Sequence, residues 1–225
     1  MPTKFAFEVP LNHLKDFADL QDYGFFLSMQ MEDKRIQEQF AICKRKWMMT
    51  ILDNSFNELQ VATKPETMAN LYWLYSPTYV VSPDDDKWTG EQVWEAWSTL
   101  RDYVPTERIM VIYKSGQEYR YLKGTMSLTA CSYAQRDTLP KEYMDKTDHF
   151  LGILNPNEIR VHKPKTCDTG MPIKIALEGK TLDQWIKEGC PHIYTQMDYF
   201  EERMTAEQVH LARTNIYALK EVCRW

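Results

Sequence analysis

The chain has 225 residues, of which 44% are hydrophobic, and this is enough to bury the core of one barrel-sized domain. Its formal net charge of -5 gives no overall cationic field, which excludes histone-like or coating proteins and confines any nucleic-acid contact to a local basic patch. The five cysteines include no closely spaced pair, and no stretch approaches the roughly 18 apolar residues of a membrane span, so we expect a soluble cytoplasmic protein without disulfides or structural zinc.

Apolar runs typical of buried strands alternate with amphipathic helices along the chain. Helices are predicted over Asp33–Lys46 and Gly90–Leu100, and the N-cap Thr205 begins a long closing helix. This alternation favours a parallel sheet, and the number of units favours a single (β/α)8-type (TIM) barrel over residues 1–225, irregular where units are short, with the C-terminal helix docked outside. The predicted strands are Gly24–Met29, Trp47–Leu52, Tyr79–Val81, Arg108–Tyr113, Met126–Cys131, His149–Ile153 and Lys165–Cys167.

Three aspartates each follow a short apolar run. Asp53 follows Ile51-Leu52, Asp84 follows Val80-Val81-Ser82-Pro83, and Asp168 follows Thr166-Cys167. Because folds of this class place active sites at the carboxyl ends of strands, we predict that the three carboxylates line one pocket. Each aspartate taken alone also fits a turn former or a helix N-cap, and Asp84 with its two following aspartates also fits a solvated turn or a cation site.

Four short segments carry a family resemblance: Asp53-Asn54-Ser55-Phe56, Val80–Asp84, Met110–Gln117 and Cys167–Pro172. From about Phe5 to Val222 the chain is similar to the tRNA-guanine transglycosylase superfamily. It most resembles the short phage-encoded transglycosylase-like proteins, whose relatives insert 7-deazaguanine bases into DNA. The resemblance implies a base-exchanging glycosyltransferase, or an N-glycosidase, that acts on a guanine or 7-deazaguanine base in nucleic acid in the host cytoplasm.

The resemblance also implies roles for individual residues. Asp53 is the expected general acid/base, Asp168 the nucleophile that attacks the anomeric carbon of the sugar, and Asp84 the residue that recognises the purine-like base. The three-Cys-one-His zinc site of the tRNA enzymes is missing, which favours DNA over tRNA as the substrate, and we expect neither a metal nor another cofactor. Further substrate-binding positions implied by the family motifs are Ser55, Phe56, Gly116, Gln117 and Gly152.

The chemistry gives these residue types a physical purpose. Cleavage of an N-glycosidic bond develops positive charge on the sugar, which a carboxylate on the opposite face can stabilise or capture covalently. The departing base needs a proton, which a second carboxyl group supplies if burial separates the two pKa values. The aromatic side chains predicted to stack on a flipped base are Phe26, Phe56, Tyr79 and Tyr113.

A basic run, Arg160-Val161-His162-Lys163-Pro164-Lys165, precedes Asp168 in the sequence. Arg160 and Lys163, with Lys165, are candidate ligands for the backbone phosphates that flank the reacting nucleoside. A solvated helix end explains the same run equally well. Cys167 adjoins the predicted nucleophile, but we expect a buried thiol there because no histidine partner is identifiable.

Two other functions remain open from the sequence. The low basicity, and the absence of the glycine pair that follows the aspartate in the family motif, also fit an inactive barrel that binds or sequesters a nucleotide or a partner protein. An enzyme that acts on a free nucleotide or nucleoside would account for the acidic charge better than a long DNA footprint does.

Overall fold

The computed structural model describes residues 2–136, 138–153 and 155–223, without the side chains of residues 57, 116, 117, 121 and 123. Within this part of the chain, eight parallel strands form one sheet in the order β1-β8-β7-β6-β5-β4-β3-β2. The strands are β1 Lys4–Phe7, β2 Gly24–Leu27, β3 Thr50–Asp53, β4 Tyr79–Val81, β5 Ile109–Ile112, β6 Leu128–Ser132, β7 His149–Leu151 and β8 Thr166–Thr169.

Strand β1 enters the sheet beside the last strand, β8, with Phe5 opposite Cys167 and Ala6 opposite Asp168. Its other edge faces β2, and side chains close that seam. The Gln21 carboxamide imitates a strand residue, since its oxygen accepts from Phe7 N–H at 2.7 Å and its nitrogen donates to the Phe7 carbonyl at 3.1 Å. The Asp22 carboxylate likewise accepts from Phe5 N–H at 2.8 Å. The eight strands therefore form a nearly closed barrel.

Helices and short turns connect successive strands and cover the outside of the barrel. Asp33 caps helix α2 by accepting from Arg35 N–H, and Thr89, Thr181 and Thr205 each form a capping box with a glutamine three residues on. The helices are α1 Leu14–Phe17, α2 Lys34–Arg45, α3 Phe56–Leu59, α4 Pro65–Tyr75, α5 Gly90–Arg101, α6 Gly116–Lys123, α7 Tyr133–Arg136, α8 Lys141–Met144, α9 Pro156–His162, α10 Met171–Leu177, α11 Leu182–Lys187 and α12 Ala206–Val222.

Strand alternation divides the buried side chains into two layers. Ala6, Ile51, Val81, Met110 and Leu151 belong to the cluster that fills the barrel interior. Their neighbours in sequence point outward into the larger layer between the strands and the helices. The closing helix α12 contributes to this outer layer through Ala212, Ile216 and Leu219, which are fully buried.

The structure confirms the predicted fold class, an α/β barrel with a closing C-terminal helix. Each predicted strand is present, Tyr79–Val81 with its predicted ends and the others with one or both ends shifted, and helices α2, α5 and α12 lie where the apolar periodicity predicts them. Strand β1 was not predicted, because its four residues include a charged lysine and only a short apolar run. In the described part of the chain, none of the helices has both the length and the apolar character needed to cross a membrane.

Candidate active site

Acidic side chains converge where neighbouring strands end. Glu8 follows β1, Asp53 ends β3 and Asp168 lies in β8, and these strands occupy one arc of the barrel. Helix α3, directly after β3, adds Glu58. Since parallel strands deliver their carboxyl ends to one rim, residues 8, 53 and 168 meet although they are far apart in sequence. We refer to Glu8, Asp53, Glu58 and Asp168 as the acid cluster.

The acid cluster lines a cavity of about 910 Å³, a volume suited to a small-molecule or nucleoside ligand. An irregular segment between α11 and α12, residues 189–205, covers part of this cavity. Tyr199 anchors the segment, since its hydroxyl donates to Glu8 Oε2 at 2.5 Å and its carbonyl accepts from Leu11 N–H at 2.9 Å. The segment's lining residues are Cys190, Pro191, His192, Ile193, Gln196, Met197, Asp198, Tyr199 and Phe200.

Asp168 is the most enclosed acid of the cluster, with 2% of its surface exposed. Its Oδ1 lies 2.9 Å from His149 Nε2, and its Oδ2 accepts a long hydrogen bond of 3.4 Å from Gly152 N–H. Gly152 adopts a φ of +69°, in the left-handed region, which turns its amide toward the carboxylate. Two strand neighbours therefore fix the orientation of the Asp168 carboxyl group.

Asp53 stands at the start of a tight turn. Its Oδ2 accepts from Ser55 N–H at 2.7 Å, and Ser55 itself has a left-handed φ of 59°. The Ser55 hydroxyl does not reach the cavity, because it accepts from Ser28 Oγ and Met29 N–H beneath the turn. Ser55 thus shapes the turn that holds Asp53, and Phe56, 7% exposed, packs into the protein interior.

Burial and mutual repulsion raise the pKa values of the cluster. The pKa of Asp53 rises well above its usual range because of burial and then the charge of Asp168, while the pKa of Asp168 rises through burial and then the charge of Glu8. Burial, followed by the charges of Glu8 and Asp53, raises the pKa of Glu58 to about 9. Asp53 and Asp168 repel each other as anions, so the two carboxyl groups lose their protons in separate steps.

Asp84 lies beside this cavity rather than on its wall. Its Oδ1 accepts from Asn54 Nδ2 at 2.7 Å, and the same amide donates to the Ser82 carbonyl at 2.7 Å. Burial raises the pKa of Asp84 to about 6, against the lowering effect of the Asn54 hydrogen bond and the Lys114 charge. Asp53 and Asp168 thus meet the prediction of a common pocket, whereas Asp84 is not among the lining residues.

Strand parity corrects the prediction for the aromatic side chains. Phe26 points outward and packs on Phe40, so the side chain that faces the cavity is its neighbour Phe25. Tyr113 also points outward, where its hydroxyl lies 2.5 Å from Thr147 Oγ1. The aromatic residues that line the cavity are Phe25, Tyr133, Trp185, Tyr199 and Phe200. Gly116 begins helix α6. The side chain of Gln117, the other predicted residue of this segment, lies outside the described part.

The basic run lies at the opposite end of the barrel. Helix α9 descends from the carboxyl end of β7, so its last turn, with Arg160 and the C-cap Lys163, lies at the amino end of β8. Lys165 Nζ pairs there with Asp148 Oδ1 at 2.6 Å, just before β7 begins. This geometry contradicts the predicted phosphate contact beside Asp168. Residues that come just before a strand lie at the amino-end rim of the barrel, and Asp168 faces the carboxyl-end rim.

The cavity also contains residues that sequence reasoning missed. Glu8 was missed together with its strand, and Glu58 and Tyr199 lie on a helix and an irregular segment that carry no motif. His149 is not among the predicted site residues, although the pairing of β7 with β8 places it opposite Thr166 and within reach of Asp168. Among the described residues, no group of three or more acidic, histidine or cysteine side chains is arranged to hold a metal ion.

Comparison with known proteins supports the fold. No family model matches the chain, and no curated protein matches its sequence. Among solved structures, the chain is similar to a protein from Pseudomonas aeruginosa provisionally assigned as a dihydrodipicolinate synthetase, with a TM-score of 0.55, 11% identity and 100% coverage of both chains. At this identity the likeness shows a shared barrel architecture and nothing about the reaction.

Proposed function

We propose that this protein is a base-exchanging glycosyltransferase of the tRNA-guanine transglycosylase type, acting on the N-glycosidic bond of a purine or 7-deazapurine. One observation carries the proposal: Asp168 and Asp53 meet in a single cavity, where burial and neighbouring carboxylates raise the pKa values of both. Two carboxyl groups that share a site ionise in separate steps, so together they can provide both a nucleophile and a proton donor at a glycosidic bond.

The residues divide the work in two half-reactions. In the first, an Asp168 oxygen forms a bond to the anomeric carbon as the bond to the base breaks, and the departing base nitrogen takes the proton of Asp53. In the second, Asp53 removes the proton from the nitrogen of an incoming base, which displaces Asp168 and forms the new glycosidic bond. Charge and protons balance over the cycle, and the protein returns to its starting state.

A specific observation favours a nucleoside or nucleotide over a long polymer as the substrate. The cavity wall includes the acid cluster, Asp198 and one lysine, Lys174. Acidic groups outnumber the basic one, so the cavity does not attract a chain of phosphates. The basic run that would bind flanking phosphates lies at the other end of the barrel. Polymer binding, in DNA before tRNA, is the second candidate, and it requires cationic surface near the rim.

The test is exchange of isotopically labelled guanine and 7-deazaguanine bases into three acceptors: a nucleoside, single-stranded DNA and tRNA. Asp168→Asn keeps the shape of the side chain but removes the nucleophile, so we expect a loss of at least about 1,000-fold in kcat with binding retained. Asp145→Asn is the control, because Asp145 pairs with His162 at the far end of the barrel.

Two outcomes would contradict the proposal. Equal exchange rates for wild type and Asp168→Asn would exclude Asp168 as the nucleophile. Base binding without exchange into any of the three acceptors would instead leave an inactive barrel that binds or sequesters its ligand. Steep loss of DNA affinity with rising salt, together with exchange into DNA alone, would favour the polymer substrate over the nucleoside.

A further inference from the structure

His149 lies directly beneath Asp168 in the barrel interior. It is the first residue of β7, it is fully buried, and it stands opposite Thr166 in the parallel pairing with β8. Thr166 and Asp168 are two residues apart, so both side chains point into the barrel. The imidazole bridges them, with Nδ1 2.8 Å from Thr166 Oγ1 and Nε2 2.9 Å from Asp168 Oδ1.

A neutral imidazole has one donor and one acceptor nitrogen. Each of its two partners here, a carboxyl group and a hydroxyl group, can also either donate or accept a hydrogen bond. When Asp168 is ionised, Nε2–H donates to the carboxylate and Nδ1 accepts from the Thr166 hydroxyl. When Asp168 is protonated, its O–H donates to Nε2, Nδ1–H donates to Thr166 Oγ1, and the Thr166 hydroxyl turns to the Asp148 carbonyl at 3.5 Å. The chain of contacts therefore satisfies every polar atom in either state.

The surroundings keep this ring uncharged. Burial, and then the positive charge of Arg136, lower the pKa of His149 to about 3, with the Asp148 charge acting in the opposite direction. Phe25 of β2 stacks on the ring at 6.2 Å between centroids. Tyr23, before β2, is fully buried, and burial, followed by the charge of Asp168, raises the pKa of its hydroxyl.

We propose that His149 is a positioning residue for Asp168. The imidazole holds the carboxyl group in place and can hydrogen-bond to either of its protonation states, because the ring can change tautomer while the Thr166 hydroxyl reverses its hydrogen bond. This inference rests on the proposed role of Asp168 as the nucleophile, because the carboxyl group loses its charge when it bonds to the sugar, regains it on release, and must stay oriented throughout. A fixed donor in place of His149 would fit only the ionised state.

The direct test is nitrogen NMR of the His149 ring in the whole protein labelled with ¹⁵N-histidine, from about pH 5 to about pH 9. We expect a neutral ring throughout, with the proton moving from Nδ1 to Nε2 as Asp168 ionises, and no such change in Asp168→Ala. A cationic ring, or one tautomer whose signal ignores Asp168→Ala, would overturn the inference. This measurement needs no turnover, so it stands even if base exchange is not found.

Kinetics provide the second test. His149→Phe removes both hydrogen bonds, and we expect kcat for base exchange to fall about 10- to 100-fold, KM to change little, and the acid limb of the pH profile to move to higher pH. His149→Gln, whose amide both donates and accepts, should recover part of the rate. His162→Gln, in the last turn of helix α9 at the far end of the barrel, is the matched control. An unchanged pH profile in both His149 variants would overturn the inference.

Discussion

Two groups of buried charges lie close together at the carboxyl rim of this barrel, and they are built in opposite ways. In the first, Arg136 is 4% exposed and fully paired: it donates to Glu158 Oε2 at 2.6 Å and to the carbonyls of Cys131, Leu151 and Gly152. In the second, the acid cluster crowds carboxyl groups without a matching cation, and Glu58 Oε2 is buried with no partner among the described residues.

The difference separates structure from chemistry. A buried cation that donates to a carboxylate and to three carbonyls holds the chain in one conformation, whereas crowded carboxyl groups store unfavourable free energy that shifts their pKa values. Gly152 belongs to both groups, because its carbonyl accepts from Arg136 while its amide donates to Asp168. The paired group thus acts as a rigid support for the unpaired one.

The largest effect should come from breaking the paired group. Arg136→Met leaves Glu158 without the cation that neutralises it and three carbonyls without their donor, so we expect the free energy of unfolding to fall by about 3 to 5 kcal/mol. Urea unfolding measures this. Arg213→Met is the control, since its pair with Asp19 is partly exposed and should cost less than about 1 kcal/mol. Equal losses in the two variants would remove the distinction.

The acid cluster should respond in the opposite direction. The folded protein holds the Glu58 proton up to about pH 9, while the unfolded chain releases it near 4.5, so between these values stability falls as pH rises. Glu58→Gln removes that loss and should raise stability by roughly 2 kcal/mol at pH 8, or about 4 to 8 °C in Tm. The gain should vanish near pH 4, where both states are protonated.

Thermal unfolding across this pH range provides the measurement. Glu188→Gln serves as the control, because Glu188 is exposed and pairs only with Lys180 on the surface. A Glu58→Gln variant that is less stable than wild type at pH 8 would show that the Glu58 carboxylate is compensated, which would contradict the assignment of an unbalanced cluster.

The smallest effect on stability should come from the residue that joins the two groups. Gly152→Ala forces a left-handed φ of +69° on a residue with a Cβ, at a cost of about 1 kcal/mol. Gly179→Ala should cost slightly less, because Gly179 has a φ of +72° and open space around it, whereas a Cβ at position 152 would lie 3.1 Å from Tyr133 Cδ1. Only Gly152→Ala should also lower base exchange, since it disturbs the amide that contacts Asp168. Equal exchange in the two variants would separate Gly152 from the reaction.

The strand pattern was enough to predict the barrel and two of its site residues. Asp53 and Asp168 could be predicted because a polar residue that ends an apolar run in an alternating fold lies at the functional rim. The sequence could not predict which of Phe25 and Phe26 faces the cavity, since a strand that is apolar at every position gives no sign of which side chains point inward. The predicted position of Lys163 was wrong because Lys163 comes just before the start of β8, whereas the site lies at the end of β8, on the opposite rim of the barrel.

Closure of the ring has a consequence for the order in which this protein is assembled. The first strand of the barrel pairs with the last, with Phe5 opposite Cys167, so during synthesis β1 has no ladder partner until β8 has emerged. Glu8 arrives with β1 and Asp168 with β8. The complete acid cluster is therefore absent until β8 has emerged, and its repulsion is introduced only at the step that completes the barrel.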